Sequence, residues 1–329
     1  MLTWDDAIAV IEKAEGATAL FGADTARAHR RYRELAAALH PDRNPGNERA
    51  HRAVVTLNRL YDDWKRPRHL TVTTATSSYT LTRPPHAVGS IATTYRTTGP
   101  CLVKLVRNPV FNTLLHAEWA ALRALDDLTE RHRWLRPYFP RLIDTSGPVA
   151  RGDHAFTVLN PLVDGFTTLA EIRTAFPGGL DGRDYAWMHR RLLRAVAGAH
   201  RAGIVHGHLT ADNVLVQPEQ HGIVLVGWSF AVGDGELPVA VDNAVNYPPE
   251  VHRGQPVTTA TDVHMLHTMM ADLLAPGEKR QRTFATWCTQ DSPAQRPAAA
   301  DLLDEYDQLL DELYGPRTFR PFTLPETGA

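Results

Sequence analysis

Two imidazoles and an amide stand close together in "IVHGHLTADNVLV", residues 204–216. His206 and His208 are separated by one residue, and Asn213 follows in the same stretch. Imidazole is the side chain whose ordinary pKa lies near neutrality, so His208 is equipped to act as a general base. An H-x-H pair also invites a metal, but no cysteine or third ligand lies nearby in sequence, and packing or base chemistry is the simpler reading. A second pair is more widely spaced: Lys104 in "LVKLV" and Glu118 in "HAEWAAL". The chain has 35 basic residues, of which 31 are Arg and only Lys13, Lys65, Lys104 and Lys279 are Lys. A lysine inside an apolar run is therefore either a strand residue pointing to solvent or a charge placed for a purpose.

The elements that must hold these residues can be read from pattern. "HLTVTTATSSYTLTRPP" alternates and is rich in Thr, which predicts two short strands. "IATTYRT", "CLVKLVRN", "FPRLIDTSGPV" and "HAFTVLNPLV" predict further strands, and "FNTLLHAEWAALRALDDL" a helix among them. After residue 166 the chain reads as mostly helical with one hairpin. "YAWMHRRLLRAVAGAHRAG" is an amphipathic helix ended by Gly203. "TDVHMLHTMMADLL" reads as a buried helix, with His264 and His267 as packed core residues.

Together these motifs resemble the protein kinases over about residues 70–316. The resemblance implies a β-rich small lobe over 69–165 and a mostly helical large lobe over 166–316, joined near Leu159 to Pro161. Lys104 and Glu118 match the family's phosphate-pairing lysine and its helical partner. His206, Leu209 and Asn213 match H-R-D-L-x-x-x-N, but Gly207 replaces the Arg and His208 the Asp. Gly227, Trp228 and Ser229 stand where D-F-G is expected. Ala87, Gly89 and Ala92 stand where the glycine-rich loop has three glycines. Glu250 matches the end of the activation segment, Arg296 its usual partner, and Asp262 the start of the buried helix.

These departures bear on chemistry. Phosphoryl transfer needs a positioned base and a metal bridging the phosphates. Gly227 supplies no carboxylate, and imidazole is a poor ligand for Mg²⁺. No catalytic residues are expected at His208 and Gly227. The resemblance is to a pseudokinase, whose cleft (Gly89, Lys104, Glu118, Asn213) is expected to bind ATP weakly and to hold no metal. From Phe230 to Pro249 the only hydroxyl is that of Tyr247.

The first residues carry a different pattern. In "AHRRYRELAAALHPDRNPGNERAHRAVVTLNRLYDDWK" a basic helix bearing Arg27, Arg30 and Arg31 precedes a polar break, and a helix with Val54, Leu57, Leu60, Tyr61 and Trp64 on one side follows. Asp24 or Thr25 is placed to cap the first of these. A further helix is expected over "WDDAIAVIEKA", ending before "GATALFGAD". The arrangement resembles the J domain of DnaJ-type co-chaperones, over residues 1–68. His40, Pro41 and Asp42 match that family's signature tripeptide. The resemblance implies docking of this loop and basic helix on a DnaK-type chaperone, with stimulation of its ATPase.

Composition narrows the rest. The net charge of -2, with 43% hydrophobic and 22% charged residues, gives no general reason to expect nucleic acid or a membrane surface. The basic helix has a single aromatic residue, Tyr32, and no series of interleaved aromatic platforms, which also argues against nucleic acid. Two distant cysteines, Cys101 and Cys288, and the lack of a long apolar run point to a cytoplasmic setting. "LPETGA" contains a sortase-type motif with no apolar segment after it, so residues 317–329 read as a tail, with a tag or coincidence the simplest account.

The expectation is an α+β chain, a helical J domain followed by a bilobal kinase-like fold. It would recruit a DnaK-type chaperone to a client or partner protein, without catalysis of its own. The alternatives are an atypical transferase using His208 and a scaffold whose J domain is vestigial.

Overall fold

The computed structural model describes residues 2–14, 16–22, 25–65 and 70–325. The chain divides into two compact units, Met1–Leu70 and Thr71–Ala329.

The first unit is helical. Helix α1 (Trp4–Glu12) starts with a reciprocal cap, in which the Thr3 hydroxyl receives the Asp6 N–H and Asp6 returns to Thr3. Helix α2 (Ala17–Phe21) lies in the stretch after the expected end of the first helix. Helices α3 (Thr25–Leu39) and α4 (Glu48–Lys65) pack through residues at helical spacing: Ala28, Leu35 and Leu39 against Ala50, Ala53, Leu57 and Tyr61. Tyr32 stacks on Tyr61 with ring centroids 3.8 Å apart. Between them, Pro41–Arg43 forms one 3-10 turn. Asn44 closes the end of α3 by donating to the carbonyls of Ala38 (2.9 Å) and His40 (3.1 Å). Asn47 opens α4 by accepting the Arg49 and Ala50 N–H groups, each at 3.1 Å. The expected cap at Asp24 lies outside the described residues, as does the Thr25 side chain.

The second unit has two lobes. Its first part contains β1 (Leu70–Thr73) and β2 (Ser78–Leu81), which pair, then β3 (Ala87–Val88), β4 (Ala92–Arg96), β5 (Leu102–Val106), α5 (Asn112–Arg131), β6 (Leu142–Thr145) and β7 (Phe156–Leu159). The last five strands form an antiparallel sheet in the order β3-β4-β5-β7-β6. Apolar residues of α5, including Leu115 and Trp119, close one core with Ile91, Val106 and Phe230.

The second part contains β8 (Thr167–Thr168), α6 (Leu169–Ala175), α7 (Gly182–Arg201), β9 (Ile204–Val205), β10 (Val214–Gln217), β11 (Gly222–Leu225), β12 (Val232–Gly233), α8 (Pro249–His252), α9 (Thr259–Ala271), α10 (Lys279–Cys288) and α11 (Ala299–Tyr314). Strands run in the order β11-β10-β8, and β12 pairs with β9. Helix α7 presents Tyr185, Met188, Leu192 and Val196 to a core shared with Leu266 and Met270 of α9 and Leu302 and Tyr306 of α11. Among the described residues, no helix is long and apolar enough to cross a membrane. The residues after α11, expected to be a tail, place Phe322 in this core.

Candidate functional site

The two lobes meet around Lys104. It sits in β5 with β4 on one side and β7 on the other, opposite Thr94 and Thr157. That register aims its side chain at α5, where Glu118 is buried, 2% exposed. Lys104 Nζ pairs with Glu118 Oε2 and also donates to Ser229 Oγ at 2.8 Å. Ser229 Oγ donates to Glu118 Oε2 at 2.8 Å, and Thr157 Oγ1 donates to Glu118 Oε1 at 3.0 Å. Trp119 Nε1 in turn holds Thr157 Oγ1 at 2.8 Å. Both carboxylate oxygens are thus partnered by groups of the chain itself. The solvent-pointing alternative for Lys104 does not hold.

The loop after β9 is built around Asp262, fully buried in the first turn of α9. Its carboxylate accepts the N–H groups of His206 (2.7 Å) and Gly207 (2.9 Å) and contacts His200 Nε2 at 3.0 Å. Gly207 has φ +66, and a Cβ there would lie 2.8 Å from the Phe230 carbonyl oxygen. Only glycine meets both demands without strain. Burial drives the His206 pKa down to about 4, so its ring is neutral near pH 7. His206 Nε2 therefore donates to the Val226 carbonyl at 2.9 Å, and Nδ1 accepts the His208 N–H at 3.2 Å.

The His208 ring is hydrogen-bonded at Nδ1 and lies near a carboxylate at Nε2. The Asn213 amide donates to Nδ1 at 3.0 Å and also to the His208 carbonyl at 3.0 Å. Nε2 faces Asp242 Oδ2 at 3.4 Å, and the ring stacks on Phe230 with centroids 4.3 Å apart. Burial lowers the His208 pKa, and the Asp242 carboxylate works against that fall. Gly227 adopts φ +83, and a Cβ built on it would run into the Asn213 side chain. Asn213 therefore fills the space a side chain at 227 would need.

Gly89 lies on the β3–β4 turn, and its N–H donates to the Ala92 carbonyl at 2.9 Å. A Cβ at Gly89 would lie 3.3 Å from that same oxygen. Glu250 and Arg296 form a buried bidentate pair at 2.6 and 3.0 Å, and Thr261 donates to the same carboxylate at 3.0 Å. Burial raises the Glu250 pKa, but the Arg296 hydrogen bond and charge, the residue's own backbone N–H and the Thr261 hydroxyl together outweigh it and hold the carboxyl below its ordinary range. His264 is partly buried and His267 fully, in line with a packing role. Among the described residues, no group of three or more His, Cys, Asp or Glu is arranged to hold a metal ion.

In the first unit, Arg27 and Arg30 are exposed on α3, and Arg31 is half-buried and lies 3.6 Å from Glu34. His40 and Pro41 are exposed at the end of α3, and the Asp42 side chain lies outside the described residues. A groove of about 580 Å³ runs beside the turn, lined by Leu39, Pro41, Asn44, Pro45, Asn47 and His51.

Three members of the cleft were not foreseen from sequence: Thr157, Ser229 as a bridge, and Asp242. Only Ser229 left a signal, since it stands at a position where the kinases have glycine.

The comparisons agree with the lobes. The structure of vaccinia related kinase 3 matches with a TM-score of 0.57 and 18% sequence identity, over 75% of this chain and 91% of that one. The chain has a protein-kinase-like fold. No protein-family model matches the sequence, and a search of curated proteins finds no match either.

Proposed function

We propose that the chain is a J-domain co-chaperone whose kinase-like part is a non-catalytic adaptor. The first unit would engage a DnaK-type chaperone through His40, Pro41, Asp42 and the arginines of α3, and the kinase-like part would hold a client or partner protein. One observation carries the adaptor half: Asn213 fills the space beside Gly227, where a metal-binding carboxylate is needed. Lys104 and Glu118 support it, because Ser229 and Thr157 already meet their hydrogen-bonding needs. The co-chaperone half rests on the basic helix, the turn at Pro41–Arg43 and the apolar helix that follows. An Arg-rich face steers toward an acidic partner.

The test is ATP hydrolysis by a cognate DnaK-type chaperone with and without the purified chain. Acceleration that is lost in His40→Gln is expected. An equal rate with the variant would remove the co-chaperone reading.

One observation favours a second reading. His208 has the Asp242 carboxylate 3.4 Å from Nε2, and the ring becomes a base oriented by that carboxylate once the Asn213 amide leaves Nδ1. Under that reading the chain is an atypical transferase. Radiolabel transfer from ATP to a protein partner, abolished by His208→Ala, would decide for it.

A further inference from the structure

Residues 315–325 run over the large lobe without helix or strand. Side chains fasten this segment. Phe322, 5% exposed, stacks on Phe176 at 5.6 Å and meets the edge of Trp187 at 6.0 Å. Trp187 lies flat against His221, centroids 4.0 Å apart and 5° from parallel. Phe319 stacks on the same imidazole at 4.5 Å, so His221 is held between two rings. Between the two phenylalanines, Arg320 reaches Asp181 (2.8 Å) and Asp184 (3.2 Å). His221 sits in the β10–β11 turn with φ +54, the only non-glycine at positive φ among the described residues. Such a backbone is costly and persists when the surroundings hold the ring in place.

We propose that Phe176, Trp187, His221, Asp181 and Asp184 form a peptide-docking slot on the large lobe. Its ligand is an extended segment with two aromatic rings three residues apart and a basic residue between them. Residues 319–322, Phe-Arg-Pro-Phe, occupy the slot in cis, and the partner is a protein that presents such a segment and displaces them. The recognition chemistry is visible in the occupant: one buried aromatic anchor, one ring on an imidazole, and one guanidinium on two carboxylates.

The cis segment fits incompletely. Phe319 keeps 65% of its surface exposed. The Arg320–Asp181 pair is half-exposed on both sides, which makes it weak. Trp187 Nε1 is buried without a hydrogen-bond partner, whereas His221 already meets the Arg320 backbone. A peptide that offers an oxygen to the Trp187 nitrogen gains a hydrogen bond that the cis segment does not make. The slot goes beyond the co-chaperone reading and does not depend on it.

The test uses a labelled peptide, PRTFRPFTLP, and the full chain, with binding read by fluorescence anisotropy. In the wild type the cis segment competes, so the apparent affinity is reduced by the fraction of slots that are open. The Phe319→Ala/Phe322→Ala chain is expected to bind about tenfold tighter than the wild type. Adding Trp187→Ala to that chain should abolish the gain, and a peptide with both phenylalanines changed to alanine should not bind. If the double variant does not fold, Arg317→Ala/Arg320→Ala removes the Arg317–Asp307 pair (2.5 Å) and the Arg320 pairs, loosening the segment while keeping both rings, and a smaller gain is expected. Equal peptide binding by opened and wild-type chains, or none by a folded opened chain, would overturn the proposal. A concentration-dependent doubling of mass in the wild type would overturn it too, by assigning the slot to a second copy's tail.

Discussion

The side chain of Asn213 occupies the space into which a Cβ on Gly227 would project. Asn213 is kept there by its amide, which donates to both Nδ1 and the carbonyl of His208. A side chain at 227 and Asn213 in its present position therefore exclude one another. Asp at 227 alone is expected to destabilise the fold. Gly227→Asp places a side chain on a backbone with φ +83 and forces Asn213 aside, at a cost of roughly 1–3 kcal/mol for the backbone alone. Asn213→Ala should relieve the steric part, so the double variant should be more stable than the sum of the single changes implies. Urea denaturation of the four chains gives the cycle. Strict additivity would mean that the two side chains do not compete.

The Lys104 cluster predicts an asymmetry between stability and nucleotide response. Glu118→Ala leaves the Lys104 ammonium beside Ser229 with no compensating charge, and breaking a buried pair from one side costs about 3–5 kcal/mol. Lys104 itself keeps 16% of its side chain exposed, so the lower end of that range applies. ATP should shift the wild-type melting temperature by at most a few degrees, with little dependence on Mg²⁺. The variant should lose far more stability than nucleotide response. A calorimetric titration giving tight, Mg²⁺-dependent binding to the wild type would show that the cluster opens for phosphate.

Much of this cleft was legible in the sequence, for physical reasons that differ by residue. Lys104 was conspicuous because lysine is scarce and the run around it is apolar. Glu118, Asn213, Asp262, Glu250 and Arg296 sit in regular elements or in short turns beside them, so sequence register places them well. Asp242 was not legible, because an extended segment without strand or helix carries it to His208. Nor was the reason for glycine at 207, which depends on the distant Phe230 carbonyl. Short helices escaped as well: α2 spans five residues and α6 seven, too few to show a helical period. The docking of Phe322 depends on a slot assembled from three separate stretches of chain, and no local pattern announces it.

The Glu250–Arg296 pair should be the large lobe's most sensitive ion pair to one-sided truncation. The Arg296 side chain has no exposed surface, and besides Glu250 it donates to the carbonyls of Ala260, Gln290 and Asp291. Arg296→Ala removes five hydrogen bonds of fixed geometry and leaves Glu250 buried with no opposite charge, met only by Thr261 and its own backbone N–H. The expected loss is about 3–5 kcal/mol, seen as a lower urea midpoint at an unchanged slope. Arg296→Lys keeps the charge but not the fork, and should recover only part of it. Full recovery by lysine would mean that charge alone, without geometry, holds the segment.

Acid should weaken the large lobe well above the carboxylate range, through its buried histidines. Burial lowers His206 and His267 to about 4 and takes His189 well below its ordinary value. In the unfolded chain the same rings protonate near the ordinary value of about 6.5. Between those values the unfolded state binds more protons than the folded one, so acid favours unfolding. The contribution of each ring is complete above pH about 6.5 and is lost as the pH falls toward 4. For His206 and His267 the loss at pH 5 comes to roughly 2 kcal/mol each. Carboxylates held low, such as Asp307 and Glu250, act at lower pH and do not blur this window. His267 is the best probe, because its ring makes one hydrogen bond, from Nδ1 to the Val263 carbonyl at 2.7 Å, and lies away from the cleft. His267→Leu removes one titrating group and should make the dependence of unfolding free energy on pH between 6 and 5 shallower by about one proton's worth. Denaturation curves at pH 7, 6 and 5 for both chains measure it. The same slope in both would mean that His267 is charged in the folded lobe, against the burial that surrounds it.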